Sequence, residues 1–297
     1  MVRKNPEWLN QEDYPFRSRY LQINGHQLHY LEEGEGEVLL FVHGTPSWSF
    51  EFRKLIKSLR NDFRCIAIDH MGFGLSDKPQ TYDYTTINQS RTLTTFIKEK
   101  GLRNINLLVH DFGGPIGLNF AIEHPEKVCR IVILNSWLWS NESDPDFRKM
   151  RKLLRSPLLP FLYRYLNFSP RFLLPKSFGN KKISKKLISQ YTKPFTRIRE
   201  RQGPIAFLKS LLDDQQWFQE LWNKRSTIAD KPTLLIWGMK DSLLHPRNLE
   251  KFEAGFSRNY SVRLDSVGHF PQEEEPEKVS EEIRKFFILP DIAGPDL

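Results

Sequence analysis

At 297 residues, 39% of them apolar and 27% charged, the chain has the composition of a soluble globular protein with one substantial core and a smaller module. No apolar run approaches the roughly 18 residues of a membrane span, and the opening "MVRKNPEWLNQEDYPF" carries basic residues without an apolar stretch behind them. Membrane insertion and export are therefore not expected, and the expected compartment is the cytoplasm.

The formal charge of +8 is unevenly spread, with 19 Lys or Arg against 7 Asp or Glu between Asn141 and Arg225, so the remainder is slightly acidic. No nucleic-acid recognition motif accompanies this charge. It reads as a solvated basic face, with weak contact to a membrane surface as the alternative. Cys65 and Cys129 lie in the apolar runs "FRCIAID" and "VCRIVIL", which predicts two buried reduced thiols and no metal site.

In chain order, "YLQING" and "HQLHYLEE" around Gly25 read as an antiparallel hairpin. Buried strands follow in "VLLFVHG", "FRCIAIDH", "INLLVHD" and "VCRIVILN", separated by the helical stretches "SFEFRKLIKSLR", "TTINQSRTLTTFIKEKG" and "GPIGLNFAIEH". From Trp137 to Ile228 the alternation stops. That region, with its "RSPLLPFLYRYLNFSPRFLLP", reads as a helical module punctuated by prolines. The alternation then resumes with "TLLIWG", "NLEKFEAGF", "SVRLDSV" and "PEKVSEEIRKFFIL", giving eight strands and the pattern of a sheet covered on both faces. The division expected is a core of residues 1–136 and 229–297 with a cap of residues 137–228. The tail "PDIAGPDL" is expected to fray.

The stretch "INLLVHDFGGPIGLNFA" has the outline of a strand, a cramped turn and a helix, with Asp111 at the apex where such turns usually carry serine. Gly113 and Gly114 give the turn room, and the free N–H groups at the helix start favour negative charge there. Aspartate needs no base to become a nucleophile. It suits in-line displacement at an alkyl carbon, leaving an ester that water must cleave. The plainer reading, a helix-capping Asp before a glycine turn, leaves other residues unexplained. Asp241 in "WGMKD" follows the seventh strand and His269 in "VGHF" follows the eighth. In that order His269 is the candidate base for water and Asp241 the acid that fixes its tautomer, with Glu142 in reserve. The backbone N–H groups of Thr45 and Phe112 are candidates for an oxyanion hole. His43 and His110 read as packing or hydrogen-bonding residues.

"YPF" at Tyr14, "HYLEEG", "HGTPSWSFEFR", "DHMGFGLSDKP", "LVHDFGGPIG", "WGMKDSLL" and "GHFPQEE" together resemble the haloalkane dehalogenase group of α/β-hydrolases, near epoxide hydrolases, over almost the whole chain. The resemblance implies an α/β-hydrolase fold, an eight-stranded mostly parallel sheet with an inserted helical cap. It also implies cofactor-free hydrolysis of a small apolar haloalkane to alcohol, halide and a proton, with Asp111 as nucleophile, His269 as base and Asp241 as acid. The family grips its halide with the indole of a tryptophan directly after the nucleophile and with an Asn or a second Trp. This chain has Phe112 and Thr45 at the first place and the Asn place. A phenyl ring has no donor, so Trp137 and Trp139 in "NSWLWS" become the candidate replacements for halide binding, their plainer role being to anchor the cap. Cap tyrosines Tyr163, Tyr165 and Tyr191 keep epoxide opening as an alternative, though "FLYRYL" puts Tyr163 and Tyr165 on different helical faces; the plainer reading of each is cap packing with a surface hydroxyl. A β-lactone or ester-type reaction is the further alternative, and a binding or membrane-associated protein built on a retired hydrolase lies outside the enzyme class.

Overall fold

The computed structural model describes residues 4–288. The strands are β1 (Arg19–Ile23), β2 (His26–Glu33), β3 (Val38–Val42), β4 (Arg64–Ile68), β5 (Ile105–Asp111), β6 (Val128–Ser136), β7 (Thr233–Gly238) and β8 (Asn259–Leu264). They form one sheet in the order β1-β2-β4-β3-β5-β6-β7-β8, in which β2 runs antiparallel to β1 and β4 and the remaining pairs are parallel. The order is that of the α/β-hydrolase fold that the sequence motifs resemble. The helices of the core are α1 (Arg53–Leu59), α2 (Thr86–Glu99) and α3 (Gly113–Glu123). Between β6 and β7 lie only helices: α4 (Pro145–Leu154), α5 (Leu158–Leu166), the turn α6 (Leu174–Lys176), α7 (Lys185–Thr192), α8 (Gln202–Asp213) and α9 (Gln215–Lys224). The chain closes with α10 (Pro246–Gly255), α11 (Pro271–Glu274) and α12 (Pro276–Ile288). The expected frayed tail lies outside the described residues.

The central strands are largely apolar because both faces of the sheet are covered there, whereas β1, β2 and β8 mix polar and partly exposed residues. In β3, Val38, Leu40 and Val42 enter one core while Leu39 and Phe41 enter the other, and β5 divides in the same way with Leu107 and Val109 against Leu108. Cys65 is buried in this sheet, and burial pushes its thiol up to about 12. Cys129 corrects the expectation of two buried thiols, because it is exposed. It is the second residue of β6 and falls in a bulge, where the register passes from Ile105 opposite Val128 to Asn106 opposite Arg130 and leaves Cys129 out of the pairing. Among the described residues no helix is long and apolar enough to cross a membrane.

Asp69, at the end of β4, shows how the loops above the sheet are fixed. Burial alone would raise its pKa, but His29 at 2.8 Å and the backbone N–H of Leu75 pull the carboxyl down to about 2. The same carboxylate accepts the N–H of Ser49 at 2.8 Å, which ties the loop after β3 to the loop after β4. His43 adds a second tie: Nδ1 donates to the Gly44 carbonyl at 2.6 Å, while Nε2 accepts the N–H of His70 at 2.9 Å. One donor and one acceptor require the neutral tautomer, and burial correspondingly lowers the His43 pKa.

Candidate active site

Five adjacent strands, β3, β5, β6, β7 and β8, deliver the site at their carboxyl ends, where open α/β sheets leave a crevice. Asp111 ends β5 with φ of +52°, a left-handed conformation that costs a non-glycine residue on the order of 1 kcal/mol and turns its side chain out of the sheet. Ser136 Oγ donates to its carbonyl at 2.7 Å and steadies the turn. Two positions around it leave no room for a side chain. A Cβ on Gly44 would lie 2.1 Å from Asp111 Oδ1, and one on Gly114 would lie 1.7 Å from Ser136 Oγ.

The two carboxylate oxygens of Asp111 have different partners. Oδ1 accepts the backbone N–H of Thr45 at 2.8 Å, and Oδ2 faces His269 Nε2 at 3.4 Å. On the far side of the imidazole, Nδ1 donates to Asp241 Oδ2 at 2.6 Å. Asp241 is buried, and its other oxygen accepts the N–H groups of Leu243 and Leu244 at 2.8 and 3.0 Å. Burial opposes the charge on both members of this pair. Asp241 is nonetheless held below the usual carboxylate range by His269 and by the two N–H groups. His269 is raised to about 10, because Asp241 on one nitrogen and Asp111 on the other outweigh its desolvation.

Asn135, near the end of β6, completes the acid's setting and escaped the sequence reading. Its Nδ2 donates to Asp241 Oδ2 at 2.8 Å, and its Oδ1 accepts the N–H of Gly238 at 2.8 Å, so it clamps the β7 loop from the neighbouring strand. The available signal was a lone buried amide closing the apolar run "VILN". His110 packs beneath the imidazole, with Nε2 donating to the His269 carbonyl at 2.8 Å and Nδ1 against Glu51 at 3.1 Å. Its hydrogen-bonding role is the one expected of it. The reserve acid Glu142 is exposed and pairs with Arg151 at 3.2 Å, away from the imidazole.

Asp111 and His269 open onto a cavity of about 520 Å³ between sheet and cap. Its wall is largely apolar, with Phe147, Met150, Leu159, Leu208 and Leu211 among the lining residues. Phe112 lines it too, its ring edge-on to Trp137 at 4.7 Å and close to Phe207 at 4.8 Å. Trp137 is 2% exposed, and its indole Nε1 is buried with no hydrogen-bond partner among the described residues. The hydroxyl of Thr45, also on the cavity wall, is in the same state. A buried polar atom without a partner is uncommon and calls for one, such as water, an ion or a ligand.

Trp139 corrects the pairing of the two indoles as halide donors. It lies outside the cavity lining, wedged against Trp222 at 5.0 Å and Phe252 at 4.9 Å with the Lys251 ammonium 4.4 Å from its ring centre. On a regular strand residues two apart would share a face, but the segment after β6 is irregular, and Trp137 lines the cavity while Trp139 packs towards α10. The tyrosines divide by similar logic. Tyr165 is half exposed, as a surface role requires, whereas Tyr163 is buried on the cavity wall, where burial pushes its pKa up to about 12 despite Ser169. Tyr191 is wholly buried and donates to Glu273 in the core. The expectation of surface hydroxyls therefore fails for Tyr163 and Tyr191, and one cap phenol reaches the cavity.

Residues 37–276 match the α/β hydrolase fold family. "Haloalkane dehalogenase 2" of Mycobacterium tuberculosis is 31% identical over 276 residues, which span 92% of this chain and 96% of that protein. The "Cis-3-alkyl-4-alkyloxetan-2-one decarboxylase" of Shewanella oneidensis is 31% identical over 281 residues, spanning 92% and 88%. Among solved structures, the haloalkane dehalogenase DatA from Agrobacterium tumefaciens C58 superposes with a TM-score of 0.82 at 26% identity, covering 91% of this chain and 95% of that one. The chain belongs to the α/β hydrolase fold family and is a hydrolytic enzyme of the haloalkane-dehalogenase-like type.

Proposed function

We propose that the enzyme hydrolyses the carbon–halogen bond of small apolar haloalkanes through a covalent ester on Asp111. The observation that carries this reading is the split environment of that carboxylate. Thr45 N–H holds Oδ1, and Oδ2 is turned to the cavity and to His269. In the first step Oδ2 attacks the substrate carbon, the carbon–halogen bond breaks, and halide leaves with its electron pair. Trp137 Nε1–H and the Thr45 hydroxyl are the donors proposed for that leaving anion, since both lack a partner among the described residues and both line the cavity. In the second step His269 takes a proton from water, which adds to Asp111 Cγ. The oxyanion then develops on Oδ1, where Thr45 N–H already sits and the Phe112 N–H is the second proposed donor. Collapse releases the alcohol and restores the carboxylate. No cofactor enters this scheme.

The test is His269→Phe, which should permit alkylation and block hydrolysis, so that intact-protein mass spectrometry finds the alkyl group of 1-bromohexane on Asp111. An unmodified variant beside a parent that releases bromide would rule the two-step scheme out. A second reading, opening of a β-lactone, is favoured by the Thr45 hydroxyl, which suits an oxygen leaving group as well as a halide, and by the Shewanella relative. Lactone consumption without halide release across a haloalkane panel would select it. Epoxide opening is the weaker alternative, with Tyr163 as the single cavity phenol.

A further inference from the structure

Helix α5, "LLPFLYRYL", is apolar on both faces. Leu159 and Tyr163 point inward to the cavity wall, while Leu158 and Phe161 on the outer side are 58% and 53% exposed, and the Tyr165 ring lies tilted against that of Phe161 at 4.7 Å. A helix of this kind is normally covered on both sides. The outer stripe joins the cavity mouth through Leu153 at the end of α4, which is 64% exposed and also lines the cavity. Leu243 from the core and Leu173 from the cap are likewise both exposed and cavity-lining. Large apolar side chains therefore surround the entrance and continue outward along α5, where a solvent-facing surface would carry polar groups.

The charge around this patch is predominantly positive, since the carboxylates at the start of α4, Asp144 and Asp146, are each paired with Arg247 at 2.9 Å. From Arg148 to Arg199 the chain carries fifteen Lys or Arg and no Asp or Glu. Arg148, Lys152, Arg155, Arg171 and Lys176 are exposed and have no carboxylate partner among the described residues. A two-fold dimer through this face would set these cations against themselves, and a nucleic acid would leave the Leu and Phe stripe uncovered. An anionic lipid surface satisfies both components, apolar side chains below the headgroups and cations among them.

We propose that the cap docks on anionic membranes through α4 and α5, with the cavity mouth facing the bilayer, so that apolar substrate enters from lipid along Leu153, Leu173 and Leu243. The docking stands apart from the chemistry proposed above and is read without turnover; only the entry of substrate rests on that reading. Sedimentation of the full chain with phosphatidylcholine vesicles, with and without phosphatidylglycerol, should give roughly tenfold or greater partitioning to the anionic vesicles, weakened by salt. Phe161→Glu, at an exposed position outside the cavity, should remove most of that gain with an unchanged melting temperature. In a Cys129→Ser background, a nitrobenzoxadiazole probe on Leu243→Cys should shift to the blue with anionic vesicles. The same probe on Glu126→Cys, at the amino end of β6, should not shift. Equal partitioning to neutral and anionic vesicles, or none, would overturn the proposal. So would anionic binding that leaves both the Phe161→Glu variant and the Leu243 probe unaffected, because charge alone would then explain it.

Discussion

Replacing Trp137 by Phe isolates one hydrogen. The indole Nε1–H is buried and has no partner among the described residues, so its removal breaks no structural hydrogen bond. The phenyl ring that replaces it retains an aromatic surface against Phe112 and Phe218, now 4.7 and 5.7 Å away. What disappears is an unpartnered donor on a residue that lines the cavity. A hydrogen bond to a developing anion contributes about 1.5 to 3 kcal/mol, and each 1.4 kcal/mol is about tenfold in rate, so alkylation should slow by roughly ten- to 150-fold. The assay is the single-turnover rate of Asp111 alkylation in a His269→Phe background, followed by rapid quench and mass spectrometry. A melting curve of Trp137→Phe reports any packing loss separately. Alkylation at the parent rate would remove Trp137 from the leaving-group site and leave Thr45 as the sole proposed donor, which the reasoning does not survive.

Three further outcomes follow from the geometry. Asn135→Ala removes one of the hydrogen bonds that hold Asp241 and should lower kcat by roughly tenfold, the equivalent of about 1 to 2 kcal/mol, with KM little changed in steady-state halide release. Gly44→Ala should abolish turnover while the fold persists, as judged by circular dichroism, because its methyl would occupy the space of Asp111 Oδ1. Asp111→Asn removes one of the two carboxylates that stabilise the imidazolium, so the His269 pKa should fall from about 10, as read by NMR titration. The sign for stability follows: a histidine raised in the folded state contributes fully below its unfolded value near 6.5, and the contribution is lost as pH rises towards 10. The parent's melting temperature should accordingly drop more steeply than the variant's across that window.

The sheet was legible because its central strands are buried on both faces and read as apolar runs, and because each candidate residue follows a strand in chain order. That ordering brought Asp111, Asp241 and His269 into view, and the structure brings both carboxylates within hydrogen-bonding or contact distance of His269. What stayed hidden depended on direction. Trp137 and Trp139 are chemically alike, and only the path of an irregular segment decides which faces the cavity. Tyr163 and Tyr165 differ by helical phase, which spacing gives, but which phase faces inward depends on how the cap sits on the sheet. Asn135 could be noticed as polar within an apolar strand, yet its partner is 106 residues away and visible only once β6 and β7 pair.

The proposed cycle gives the histidine its basicity at the moment it is needed. In the resting site the imidazole lies between two carboxylates and holds its proton, which makes it a poor acceptor. Alkylation turns Asp111 into a neutral ester and removes the charge that faced Nε2, while Asp241, fixed by Asn135 and two backbone N–H groups, goes on orienting Nδ1. The imidazolium proton is then lost to solvent as the one proton that the overall hydrolysis yields, and Nε2 becomes free to activate water only after the ester exists to be cleaved. This coupling responds to the loss of charge on Asp111 and not to the group that departed, so the hydrolytic half of the site serves halide and lactone alike. The discrimination between them must lie in the first step, with Trp137, Thr45 and the apolar wall, and those are the positions at which substitutions should change which substrate is taken.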